Sequence, residues 1–272
     1  PSHLLALMQS RDLIGFSPDW PAPQFVRALM TTREGGVSKE PWNTLNLGLL
    51  SGDSSDNVQK NRSLVQSAMG VAAVYLRQVH GVQSVSIDQH TPAGLEADVV
   101  WTTQAGVSCA VMAADCLPIL VCHPKVKWVA AAHAGWRGLA GSGGHGVVET
   151  LAQSAKAHGL APQDCVVWLG PCIGPTAFEV GEDVFAAFGS LLEKSDNPTN
   201  LFFQTSPNKY MANLAGLARE RLKAAGFRSV HGNDSSLPWC TYRQEALYHS
   251  HRRDAVAKGG SGRMAAYIWI TT

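Results

Sequence analysis

The stretch AADCLPILVCHPKVKWVAAAHAGWRG, from Ala113 to Gly138, decides how this chain is read. Its two apolar runs, LPILVCHP and KWVAAAHAG, have the length and composition of strands. Cys116 stands at the head of the first run and His133 near the end of the second. Such residues are either small core groups or ligands of one site, held where a rigid scaffold meets a cleft. The rest of the sequence has to separate these readings.

The chain has 272 residues, 45% hydrophobic and 16% charged, enough to bury one large core or two small ones. Its 22 basic and 21 acidic residues leave a net charge of +1, so no strong field marks nucleic acid or an anionic membrane as a partner. No apolar run approaches the length of a membrane span. The N-terminal PSHLLALMQSRD carries a short apolar patch with no basic segment before it, and reads as an ordinary helix start rather than a signal peptide. Six cysteines in a chain of this length do not make a disulfide scaffold. Cys109, Cys122 and Cys165 lie in or beside strand-like runs and read as core residues. A reducing, cytoplasmic setting is the expectation.

Further strand-like runs are QFVRALMTTR, GVSCAVMAADC, DCVVWLG and the C-terminal RMAAYIWIT. Apolar spacing predicts a helix from Asp56 to Met69, stopped by Gly70, and another from Val147 with Gly159 as its C-cap. A third is predicted from Met211 to Ala225, and a short fourth follows Gly181, with Glu182 and Asp183 in its first turn. Scattered glycine and proline, with no linker or repeat, predict one domain over residues 1–272, residues 1–30 being the least defined part. Strands and helices mix without strict alternation. That favours α+β with mixed β-sheets flanked by helices over a doubly wound nucleotide fold. The glycine-rich GSGGHG at 141–146 lacks the lysine and hydroxyl of a phosphate loop and reads as a turn before a helix.

His80 in RQVHGVQS, Cys116 in AADCLP and His133 in AAHAGWRG each lie where a strand-like run enters a loop. A thiolate with two imidazoles suits zinc, and three protein ligands leave the fourth position of a catalytic site open. Their spacing matches no local finger motif. The same cysteine and histidine also suit a cysteine hydrolase, with Cys116 as nucleophile and His133 as base. A copper oxidase is disfavoured, because the chain has only one His-x-His pair, His249 and His251. Arg33 and Arg137, beside glycine turns, are the first candidates for holding an anion, ahead of Arg252, Arg253 and Arg263.

The segments TTREGGVSKEPWNTLNLGLLSGD, NVQKNR, RQVHG, ADCLPIL, HAGWRG, GPCIGPTAFEVG, CTYR and HSHRRDAVAKGGSGRMAAYIW occur in this order. Together they resemble the YfiH-like family, also called laccase-domain-containing or multicopper polyphenol oxidase proteins and now described as purine nucleoside phosphorylases. The resemblance implies a single α+β domain akin to the cysteine-histidine deamidating (CNF-like) toxins. It implies metal ligands at His80, Cys116 and His133, holding zinc rather than copper. The implied partners are purine nucleosides and phosphate, with the protein acting as a monomer. The implied reactions are phosphorolysis of adenosine, inosine, guanosine and methylthioadenosine, and deamination of adenosine.

On that reading Arg33 and Arg137 hold phosphate, Trp136 stacks on the purine, and Asp115 or Glu34 carries a proton, since HAG lacks the glutamate of nucleotide deaminases. Two positions depart from the family pattern. Its usual Asp-Leu reads Asn213-Leu214, removing a carboxylate, and its usual SYRRD reads SHRRD, with His251 replacing tyrosine. The alternative activities are a cysteine hydrolase or amidase acting on cell-wall peptide precursors and, further off, a copper polyphenol oxidase.

Overall fold

A computed structural model of the chain describes residues 14–272, and the N-terminal helix start read above lies outside the described residues. The fold is a single α+β domain built on two large mixed sheets. Strands β1 (Gly15–Phe16), β2 (Val26–Thr31), β14 (Met264–Ile270), β6 (Val107–Ala113) and β3 (Ala72–Tyr75) form the first, in the order β1-β2-β14-β6-β3. The second runs β13-β9-β7-β8-β5-β4. Its members are β13 (Ser229–Gly232), β9 (Val166–Leu169), β7 (Leu117–Cys122), β8 (Val129–Ala134), β5 (Val99–Thr102) and β4 (Ser84–Ser86). Each sheet has one or two parallel pairs at its margins and antiparallel pairs between.

The two sheets pack face to face. Cys109, Val111, Ala266 and Ile268 of the first meet Val100, Leu120, Cys122, Val129 and Ala131 of the second in one cluster. The opposite face of β7, carrying Leu117, Ile119 and Val121, packs against helix α3 (Val147–Ala157) and helix α6 (Leu214–Ala224). Helix α1 (Ser55–Met69) covers the outer face of the first sheet through Val65. The central strands are therefore buried on both sides. That is why LPILVC is continuously apolar instead of alternating. Each fully buried Leu or Ile there contributes roughly 1.5–3 kcal/mol.

Helix punctuation follows the sequence. Gly70, at φ 70°, ends α1 in the left-handed conformation, and Gly159 and Gly226 take positive φ after α3 and α6. Helix α6 starts at Leu214, not Met211, because Asn213 caps it by accepting from the N–H of Gly216. Met211 instead belongs to β12 (Lys209–Ala212), in a small sheet with β10 (Glu179–Gly181) and β11 (Phe202–Ser206). The same N-cap accounts for the first departure in pattern, because the amide of Asn213 does a capping job open equally to aspartate.

The short helices α2 (Trp136–Ala140), α4 (Glu182–Ala187) and α5 (Gly189–Leu192) fill connections, and α7 (His251–Lys258) lies just before β14. The glycine-rich 141–146 segment is a turn into α3. The Gly146 N–H donates to Glu149 Oε2, and Arg221 bonds the same oxygen. No described helix is long and apolar enough to cross a membrane.

Candidate metal centre and cleft

The chain leaves the first sheet at Ala113 and enters the second at Leu117. Residues 114–116 therefore cross between the sheets at one edge. Asp115 makes the bend at φ 89°, and His80, in the loop after β3, sits at φ 59°. Left-handed backbone at non-glycine residues costs of order 1–3 kcal/mol each and recurs at functional sites. His133 lies in β8 opposite Pro118 of β7, so strand pairing sets it beside the Cys116 bend.

His80, Cys116 and His133 offer ligand atoms that all lie within 4.8 Å of one another. Cys116 Sγ is 3.8 Å from His80 Nε2, and the two imidazole rings meet edge to face at 4.8 Å. His133 is buried, Cys116 half-buried and His80 exposed. Gly135 of HAG closes the floor. A Cβ there would stand 2.8 Å from His80 Cδ2 and 3.0 Å from Cys116 Sγ, so any side chain would push the cluster apart.

Asp98, which directly precedes β5, organises this cluster from beneath. It is fully buried. Its Oδ1 bonds His133 Nδ1 at 2.8 Å and accepts from the His80 N–H at 3.1 Å. Its Oδ2 accepts from the N–H groups of Gly81 and Val79. One carboxylate thus orients both histidines. Burial pushes Asp98 up, but the bond from His133 and the backbone donors outweigh it and hold the pKa below the ordinary value. Nothing in the amino-acid sequence distinguishes this residue except an acid placed directly before an apolar run.

Cys116 and His133 form a coupled pair. Burial raises the thiol, yet the positive charge and hydrogen bond of His133, aided by His80, bring it down to about 6. Burial lowers His133, yet the Cys116 thiolate and Asp98 lift it to about 9. Both shifts run in the direction of a thiolate paired with an imidazolium. Cys109, Cys122 and Cys165, by contrast, are raised by burial, as inert core thiols should be.

This donor set fits a metal ion. A thiolate and two imidazole nitrogens converge, and the Asp98 bond to His133 Nδ1 leaves Nε2 for coordination, the carboxylate–histidine arrangement common at metal centres. Ligands at zinc distances around one centre stand roughly 3.3–3.8 Å apart, near the spacing present. It is the one such group among the described residues. The His-x-His pair is split. His249 is fully buried, and a Cβ on Gly262 would overlap its ring, whereas His251 lines the cleft.

The cluster lines a cleft of about 700 Å³, in the range of small-molecule sites. Arg62, Arg77, Arg252 and Arg263 line it, along with Leu49, Leu50, Met112 and Phe178. Arg62 stacks over Tyr75 at 3.7 Å and bonds the Leu47 carbonyl. Arg263 has one terminal nitrogen on the Ser261 and Gly262 carbonyls. Burial lowers its pKa, while Cys116 and Asp115 raise it.

Asp115 also lines the cleft, but both its oxygens are engaged. Oδ1 accepts from Thr241, and Oδ2 accepts from the Ser250 hydroxyl and the Arg252 N–H. Arg33, Glu34, Trp136 and Arg137 do not line the cleft. Arg33 is buried, donating to the Asn43 carbonyl, Asn43 Oδ1 and the Glu245 carbonyl. Arg137 lies over the Trp136 ring at 4.3 Å, and Trp136 packs against the core. Glycine-flanked arginine reads the same in sequence whether it closes a loop or faces a ligand. The cleft arginines Arg62 and Arg77 carried no sequence mark beyond their place in the NVQKNR and RQVHG segments.

Fold and cleft define a single-domain α+β protein whose cleft carries a cysteine and two histidines spaced to hold a metal ion. Residues 27–271 match the family described as multi-copper polyphenol oxidoreductase laccase, and the chain belongs to that family. Among its relatives, purine nucleoside phosphorylase PA4543 of Pseudomonas aeruginosa is 41% identical over 254 residues, 93% of this chain and 97% of its own. Purine nucleoside phosphorylase YfiH of Escherichia coli is 40% identical over 255 residues, with the same coverage. The crystal structure of YlmD from Geobacillus stearothermophilus superposes with a TM-score of 0.83 at 31% identity, covering 97% of this chain and all of that one.

Proposed function

We propose that this protein is a purine nucleoside phosphorylase working in the arginine-lined cleft that holds His80, Cys116 and His133. The observation that carries the reading is the convergence of three candidate metal ligands, the two histidines braced by Asp98, on a cleft with cationic donors. The relatives known as purine nucleoside phosphorylases support it. Phosphate and a nucleoside need what the cleft has, guanidinium groups for the anion and apolar walls for a base. We assign phosphate to Arg62 and Arg263 in place of Arg33 and Arg137, because they reach the cleft and the other two do not.

We take the ion to be zinc, held by His80, Cys116 and His133. When bound it supplies a fixed positive charge and acidifies a water molecule. The protein's own part is to seat phosphate beside the ribose C1′ and to hold the base while the glycosidic bond breaks. Adenosine deamination is proposed for the same cleft, with water replacing phosphate as nucleophile; adenosine, inosine, guanosine and methylthioadenosine are the substrates to test.

The test is base release from inosine with and without phosphate, alongside elemental analysis of protein purified without added metal. Phosphate-dependent hypoxanthine release with about one zinc per chain is the expected result. Turnover of neither inosine nor adenosine by zinc-loaded protein refutes the reading. A second reading keeps Cys116 as nucleophile, because Cys116, His133 and Asp98 form a linked chain with a depressed thiol. Amidase activity that survives chelation would favour it.

A further inference from the structure

Phosphorolysis must place a proton on the departing purine, and the ligand cluster is poorly suited to supply it. Among the cleft-lining side chains that exchange protons, His80, Cys116 and His133 are committed to the centre. Asp115 accepts three hydrogen bonds, and the Tyr75 hydroxyl is paired with that of Tyr267. His251 is left. Its imidazole makes no hydrogen bond among the described residues and faces the same cleft as Cys116.

Its placement is built. Asp115 is the residue before Cys116, and its Oδ2 holds both Ser250 Oγ at 3.0 Å and the Arg252 N–H at 2.7 Å. The two residues flanking His251 are thereby pinned to the bend that carries the thiolate. Ser250 also caps α7 by accepting from the Arg253 N–H. On the far side, all five N–H donors of Arg253 are engaged. They go to Asp254 and to the carbonyls of Thr241, Tyr242 and Tyr248. The backbone on both sides of His251 is fixed while its ring makes no hydrogen bond; burial and Arg263 lower its pKa, Asp115 raises it, and Arg252 and His80 lower it further, which makes its protonated form a stronger acid.

We propose that His251 is the proton donor to the purine leaving group and that Asp115 is the positioning residue that holds it there. The assignment rests on the phosphorylase reading. In the step, a phosphate oxygen forms the bond to C1′ and the C1′–N9 pair withdraws into the purine. The His251 imidazolium gives its proton to N7, and the neutral base departs. The proton that phosphate loses on becoming a ribose ester returns to water, from which His251 is recharged.

The test compares inosine with 7-methylinosine, whose N7 already carries a fixed positive charge and needs no proton. The side chain of His251 is exposed, so His251→Gln should fold normally. We expect kcat on inosine to fall by about 10²–10⁴-fold with KM little changed, the range for losing a general acid. Activity on 7-methylinosine should stay near wild type, and zinc content should be unchanged. Equal losses on both substrates, no loss on inosine, or loss of zinc would each overturn the assignment with the phosphorylase reading intact. If wild-type protein turns over neither substrate, that reading has failed and the assignment falls with it.

Discussion

Two polar regions lie close together in this fold and use their charges in opposite ways. In one, a knot away from the cleft lining, Arg33 bonds Asn43 and the Glu245 carbonyl, Arg253 reaches Glu245 and has a partner for every donor, and Asp254 meets both Arg253 and Lys258. At the cleft, Asp98 fixes His80 and His133 while their outward nitrogens, and the Cys116 thiolate, face an open volume. The knot turns its guanidinium donors onto the protein itself, as charge withdrawn from water requires. The cleft keeps capacity in hand, and that remainder is what a ligand can use.

The sharpest way to break this contrast is Cys116→Ala. Loss of the thiolate from a preformed cluster should lower metal content and reduce phosphorolysis by roughly 10³-fold or more, with thermal stability of the metal-free form little changed. Turnover that persists in metal-free protein would separate the chemistry from the centre.

Next in size is Arg33→Met. It removes three part-buried hydrogen bonds made by a buried guanidinium and should cost about 1–3 kcal/mol in denaturant unfolding. Activity per folded molecule should hold. The exposed comparison, Arg137→Met, should change stability by only about 0.5 kcal/mol or less. A raised KM for phosphate in either variant, without loss of stability, would return that arginine to the anion site.

Asp98→Asn keeps the shape and weakens the support of both histidines. Metal affinity should fall by about 10–100-fold, measured by competition with a chelator. An unchanged affinity would show that strand pairing alone orients the ligands.

The smallest effect is on acid stability. Burial pushes Asp254 up, but the bond and charge of Arg253, with Lys258, hold it below the ordinary carboxylate range. Its folded pKa is therefore depressed. It stabilises the fold above the unfolded pKa, and that contribution disappears as pH falls through the folded value. In urea unfolding between about pH 5 and 2, Asp254→Asn should show a shallower decline than wild type. Parallel curves would mean that the knot does not titrate.

Much was legible from the amino-acid sequence because it is enforced locally. Apolar runs announced the central strands, since burial on both faces demands continuous hydrophobicity. Gly70, Gly159 and Gly226 marked helix ends, since left-handed backbone favours glycine. Residue type also singled out His80, Cys116 and His133, a soft thiolate and two imidazoles at strand ends. What remained hidden depended on distance in three dimensions. Met211 fell in a helical pattern, yet a strand partner and the Asn213 cap claimed it. Asp98 gave no sign of its part, because its four contacts come from residues 79 to 81 and from His133. Arg33 and Arg263 have similar glycine-rich surroundings in the chain, and only the packing of the two sheets sends one into the knot and the other to the cleft. Sequence determines which groups are present and how each segment folds; the tertiary structure decides which of them are left unsatisfied, because a hydrogen-bond partner is a fact about space and not about the chain.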